Sequence, residues 1–246
     1  MADFRVLGVI PARLASTRLP RKVLREIAGK PMVCHVFYRA RESDFLSDLL
    51  VATDSQEVVD ACGAFGIPAV MTSPDHPSGT DRIWEVSRAR VADLYVNIQG
   101  DEPLITSGPI GKLVEPFLTR RDTQVSTLRI RATREEAADP NVVKVVTDVR
   151  GNALYFSRLP IPYERDRAAA STYWKHLGLY AYRREALESF HRFGPSRLES
   201  LERLEQLRFL EHGIPIPVVE TTEPTIGVDT EADLRAVEAH LRSHPR

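Results

Sequence analysis

The feature that most constrains this chain is the alternation, through its first half, of short β-branched runs with stretches of helical periodicity. Residues 5–10 are followed by 32–41, 49–53 by 56–65, 68–71 by 80–90, and 95–98 by 110–119. Strands separated by helices of this length join as βαβ units, which put helices on both faces of a largely parallel sheet. The expected class is α/β, with a three-layer nucleotide-binding core around a central, mostly parallel sheet.

After Val125 the pattern changes. Runs 142–149 and 153–156 flank the turn-forming Arg150-Gly151-Asn152 and read as a hairpin. A polar, Arg-rich loop over 160–171 precedes a strand at 173–182. Leu198, Leu201, Leu204, Leu207 and Phe209 recur at roughly helical spacing through 198–210. A strand at 214–219 and a closing helix at 230–242, with Thr230 as N-cap, complete the reading. No repeat, low-complexity tract or Gly/Ser linker interrupts the 246 residues, so one continuous domain, 1–246, with an inserted substrate or dimer subregion is expected.

Charge narrows the function classes. Thirty-three Lys and Arg stand against 34 Asp and Glu, a net of −1, so no overall field draws the protein to nucleic acid or an anionic membrane. The apolar run before Pro11 and Arg13 is too short for a signal-peptide core, and nothing approaches a membrane span. The only two cysteines, Cys34 and Cys62, sit in helical stretches, which argues against a disulfide framework or a zinc site. A cytoplasmic location is expected, and any bound anion must be held by a local cluster.

Three local clusters stand out, one cationic and two acidic. Arg13, Arg18 and Lys22 are spaced cations on the loop after the first strand, where open α/β sheets bind ligands; they form either a polyphosphate cradle or a solvated basic loop. Gln99-Gly100-Asp101-Glu102-Pro103 ends a strand in two carboxylates, with Asp101 a candidate Mg²⁺ ligand if the segment is more than a surface turn. Asp229, in Gly227-Val228-Asp229-Thr230, is either a helix cap or a second carboxylate for the same ion. The absence of a P-loop and of a GxGxxG motif disfavours Walker and Rossmann chemistry.

Together with Ser78-Gly79-Thr80-Asp81-Arg82, Ala153 to Arg158, Lys175 to Tyr180 and Leu204-Glu205-Gln206-Leu207-Arg208, these segments resemble the 3-deoxy-manno-octulosonate (Kdo) cytidylyltransferases over almost the whole chain. The resemblance implies a glycosyltransferase-A-like nucleotidyltransferase fold and transfer of CMP from CTP to Kdo for lipopolysaccharide biosynthesis, by a Mg²⁺-dependent cytoplasmic homodimer. It implies CTP binding by Arg13, Arg18, Lys22, Ser78, Gly79 and Asp101, catalytic roles for Asp101, Asp229, Lys22 and Arg13, and metal ligation by Asp101 and Asp229. Sugar binding falls to Gln99, Arg158, His176, Tyr180, Glu205 and Gln206, with Arg158 and His176 on the carboxylate. From the residues alone, Ser78 is equally a helix cap, His176 an ordinary histidine, and Glu205 and Gln206 the polar face of a helix. Related readings are activation of 8-amino-Kdo or sialic acid, a sugar or polyol phosphate as acceptor, and a silent nucleotide-binding regulatory protein. The chain departs from the family pattern at Arg21, where a small residue is expected, and in a shorter loop around Glu164 to Arg167.

Overall fold

The structure, a computed structural model, describes residues 4–16, 19–165 and 172–243. The chain divides into two compact units: residues 1–111 with 225–246, and residues 112–224.

The first unit is the βαβ core. Its strands are β1 (Val6–Ala12), a two-residue pair β2 (Glu26–Ile27) and β3 (Lys30–Pro31), β4 (Asp48–Thr53), β5 (Ala69–Met71) and β6 (Leu94–Asn97). Helices α1 (Met32–Ala40), α2 (Gln56–Ala64) and α3 (Gly79–Ala89) alternate with them, and α4 (Ser107–Thr119) begins in this unit and runs on into the second. The sheet runs β6-β1-β4-β5, every pair parallel. Val6, Leu7, Val9 and Ile10 are all buried in β1, the continuous apolar signature of a strand covered on both faces. Cys34 and Cys62 lie buried in α1 and α2 as free thiols, and burial pushes them up to about 12 and about 11, which keeps both protonated.

The second unit contains β7 (Val125–Ala132), α5 (Arg134–Ala138), β8 (Lys144–Thr147), β9 (Ala153–Ser157), β10 (Tyr173–Tyr182), α6 (Arg184–Phe193), α7 (Arg197–Glu202), α8 (Leu207–Glu211) and β11 (Val218–Glu220). Here the strands are mostly antiparallel: β10 pairs with β7 and β8, and β8 with β9, while β11 lies parallel to β7. The β8–β9 hairpin forms as expected, its turn fixed by the Asp148 carboxylate, which accepts from the amides of Arg150 and Asn152 at 2.8 Å each. The final helix, α9 (Glu231–Ser243), returns to the first unit.

One expected element breaks in two. The helix read over 198–210 stops at Arg203, which adopts φ 56°, while Leu204 donates to the Glu199 carbonyl at 3.3 Å, a Schellman-type stop. Glu199 and the buried Arg208 then lock the two pieces together through paired bonds of 2.8 and 2.5 Å. The strand read over 214–219 is shorter, at Val218–Glu220, and β7, α5 and α6 are additions to the sequence reading.

A single glycine sets how closely the site segments approach. A Cβ at Gly100 would lie 2.8 Å from the backbone oxygen of Pro11. Gly100→Ala is therefore expected to destabilise the protein by about 1–3 kcal/mol through forced backbone movement. Denaturant unfolding reads the effect, and an unchanged midpoint would show that the two segments have room to part.

Candidate active site

Within the first unit, residues distant in sequence meet at one ammonium. Lys22 Nζ donates to Asp101 Oδ2 at 2.5 Å and to Asp229 Oδ1 at 2.9 Å. The meeting is built by packing. Leu19, Ile27 and Met32 form one buried cluster with Val228, Leu234 and Val237, seating the start of α9 on the segment that carries Lys22. Arg25 and Glu231 add a forked ion pair at 2.5 and 3.0 Å, and the Val228 amide donates to the Asp101 carbonyl at 2.9 Å. Thr230 caps α9, accepting from the Asp233 amide at 3.2 Å, which leaves the Asp229 carboxylate to Lys22. Burial alone would lower the Lys22 pKa; Asp101 and Asp229 outweigh it through charge and hydrogen bonding, so Lys22 titrates above its usual range and stays charged.

Arg13 donates to the His76 carbonyl, fixing the loop after β1 against the segment before α3, and Arg18 lies outside the described residues. Ser78 is the N-cap of α3: its hydroxyl accepts from the Asp81 amide at 3.1 Å and donates to the Asp81 carboxylate at 2.6 Å. At Gly79 a Cβ would make only ordinary contacts with Pro11 and Asn97, the nearest 3.7 Å, so the fold itself does not demand glycine there. Arg21 takes φ 57° and pairs with Glu57 on the surface.

Asp54, just beyond β4, was not singled out from sequence. It accepts from Arg82 Nη2 at 2.8 Å and from the Leu14 amide at 3.4 Å, and Arg82 is 0% exposed. Asp54 thus links the loop after β1, through the Leu14 amide, to α3, through Arg82. The signal was present, since Asp54 is a carboxylate at a strand end just as Asp101 is.

Of the expected sugar-binding residues, Gln99 belongs to the first unit and the other five to the second. His176 and Tyr180 are buried neighbours on β10, ring centroids 5.4 Å apart. Thr127 Oγ1 lies 2.8 Å from the Leu179 carbonyl and 3.0 Å from His176 Nε2. The threonine's one proton satisfies the carbonyl, so its oxygen accepts from Nε2–H and leaves Nδ1 as an acceptor. Burial lowers the His176 pKa to about 3, and the ring is neutral. A neutral ring with a free acceptor suits a sugar hydroxyl and offers no charge to a carboxylate.

Glu205 and Gln206 sit in the turn between α7 and α8, not on a helix face. Gln206 is 4% exposed and its Nε2 has no hydrogen-bond partner among the described residues, as a donor awaiting a ligand would. Arg158 follows β9, with its guanidinium donating to the carbonyls of Glu202, Pro140 and Arg203 at 2.8, 3.1 and 3.4 Å.

The family profile described as Cytidylyltransferase matches residues 7–219. A protein of Acidobacterium capsulatum named 3-deoxy-manno-octulosonate cytidylyltransferase is 56% identical over 98% of both chains. The chain belongs to that cytidylyltransferase family. A relative of the same name from Koribacter versatilis is 54% identical over 97% of this chain and 91% of its own. Among solved structures, CMP:2-keto-3-deoxy-manno-octonic acid synthetase complexed with CTP superposes with TM-score 0.93 at 44% identity, covering 97% of this chain and 99% of that one. The fold extends further: a 4-diphosphocytidyl-2C-methyl-D-erythritol synthase from Anaerococcus prevotii, 12% identical, matches with TM-score 0.64 over 97% of this chain and 98% of its own.

The buried histidine gives this cytidylyltransferase an acid limit. The folded His176 pKa of about 3 lies below the ordinary 6.5, so on acidification the unfolded chain takes up the proton first. The stability contribution is complete above pH 6.5 and declines by about 1.4 kcal/mol per pH unit below it, down towards pH 3. Thermal melts of the unaltered protein and His176→Gln across pH 4–7 should show the steeper acid loss in the unaltered protein. Parallel curves would place the titrating group elsewhere.

Proposed function

We propose that this cytidylyltransferase transfers CMP from CTP to 3-deoxy-manno-octulosonate and releases pyrophosphate. The observation that carries the acceptor's identity is the 56% identity, over 98% of both chains, to a protein named for that substrate. Supply of the activated sugar to lipopolysaccharide, a cytoplasmic location, a homodimeric state and a requirement for Mg²⁺ belong to the same proposal. Among the described residues no helix is long and apolar enough to cross a membrane.

In this reading the sugar's anomeric hydroxyl attacks the α-phosphorus of CTP, and the bond to the leaving pyrophosphate breaks. No covalent enzyme intermediate is needed; positioning and charge neutralisation supply the rate. Arg13 and Lys22 face the triphosphate and offset charge developing on pyrophosphate, with Arg18 assigned there from sequence alone. Asp101 and Asp229 fit a divalent cation: they are hard oxygen donors, and an ammonium already stands between them as a cation would. Among the described residues no group of three or more possible ligands exists, so substrate phosphates would complete the shell. Magnesium bound there would polarise phosphate oxygens and favour the ionised hydroxyl.

Arg158 is the cationic partner for the acceptor's carboxylate, since His176 is neutral, and Gln206 and His176 Nδ1 take hydroxyls. Gln99, Tyr180 and Glu205 keep the sugar-binding roles expected from sequence.

Pyrophosphate release from CTP tests the function. It should be fast when Kdo is added and negligible without it; equal or better turnover of 8-amino-Kdo or sialic acid would overturn the choice of acceptor, and no release with any sugar acid would sink the enzymatic reading. Asp101→Asn and Asp229→Asn should each lower kcat by about 100-fold or more while the fold persists. Near-normal rates in both variants would remove the pair from the chemistry.

A further inference from the structure

Lys144, at the start of β8, is 0% exposed, and among the described residues no carboxylate lies within ion-pair distance of its ammonium. Nζ donates instead to three backbone carbonyls: Asp139 at 2.9 Å, Val142 at 2.5 Å and Arg158 at 2.5 Å. These use all three of its N–H donors. Burying a charge on neutral acceptors is costly, and an apolar side chain of similar length would fill the space with less penalty. What the charge organises is therefore informative.

Two of the three carbonyls belong to the turn that precedes β8, itself closed by the Val142 amide on the Asp139 carbonyl at 3.2 Å. Pro140, inside that turn, accepts from Arg158 Nη1 at 3.1 Å. The third carbonyl is that of Arg158. The lysine thus holds Arg158 twice, directly at its peptide and through the turn that takes its guanidinium. Glu202 completes the frame: its carboxylate accepts from the Arg158 amide at 3.0 Å and Ser157 Oγ at 2.8 Å, and its carbonyl takes Arg158 Nε at 2.8 Å. Among the described residues three guanidinium N–H groups are spent on carbonyls, which leaves one on each terminal nitrogen, enough for a two-point grip on a carboxylate.

We infer that Lys144 is a positioning residue, whose buried ammonium sets the direction in which Arg158 presents those two N–H groups to the carboxylate of the acceptor sugar. The inference rests on the reading of Arg158 as the carboxylate's partner, and the test separates the two.

Steady-state kinetics with CTP and Kdo are measured for Lys144→Met, Arg158→Met and the double variant, each confirmed as folded by its thermal transition. Lys144→Met raises KM for Kdo by about tenfold, and Arg158→Met by more, with KM for CTP within about twofold of the unaltered enzyme. The double variant is no worse than Arg158→Met alone, because the lysine acts through the arginine. If Lys144→Met does not fold, Lys144→Gln, which keeps two donors, carries the same comparison; if neither folds, the lysine serves the fold alone and the inference is overturned. It is equally overturned if Lys144→Met leaves KM for Kdo unchanged while Arg158→Met raises it, or if the two losses add. An unchanged KM in Arg158→Met instead removes Arg158 from the carboxylate, and the inference falls with that reading.

Discussion

Lys22 sits between Asp101 and Asp229 with hydrogen bonds of 2.5 and 2.9 Å, and much of the first unit is arranged to put it there. Two carboxylates brought together without a cation would repel, so the segments bearing them can be packed side by side only if positive charge lies between. The apolar cluster of Leu19, Ile27, Met32, Val228, Leu234 and Val237 supplies the packing, and the ammonium makes it electrostatically tolerable. The space between the two carboxylates therefore calls for positive charge, which the Lys22 ammonium supplies. Gly100 serves the same arrangement by letting the Asp101 segment lie against the Pro11 backbone.

The second unit handles charge differently. Its two cations proposed to serve the acceptor site are bound to backbone carbonyls and not to carboxylates: Arg158 to Glu202, Pro140 and Arg203, Lys144 to Asp139, Val142 and Arg158. A carbonyl orients a cation without neutralising it. Arg158 therefore retains its full charge for an anionic ligand, whereas Lys22 is already shared between two anions. His176, buried and neutral beside Thr127, adds no charge.

Much of this was legible in the residues. The parallel core showed itself in continuous apolar runs, and β10 appears at the expected bounds, Tyr173–Tyr182. Residue types at strand ends pointed to Asp101 and, less directly, to Asp229, and the sequence offered Thr230 as the cap that the structure shows it to be; only packing could show the two carboxylates meeting at Lys22. The break at Arg203 was hidden because the leucine spacing continues through it; a left-handed residue that is not glycine leaves no mark in a periodicity. The charge state of His176 was also invisible, since it depends on burial beside Phe156 and Tyr180, which no local pattern shows. Lys144 and Asp54 were overlooked because a buried cation on carbonyls and a strand-end carboxylate paired with an arginine look, in sequence, like ordinary surface charges.

The central claim is that Asp101 and Asp229 together hold a divalent cation in the space now filled by the Lys22 ammonium. Manganese(II) binding followed by electron paramagnetic resonance, in the presence of CTP, measures it without relying on turnover. The account predicts saturable binding to the unaltered protein and affinity weaker by at least about tenfold in Asp229→Asn, with CTP binding itself retained. Equal manganese affinity in the two proteins would contradict it.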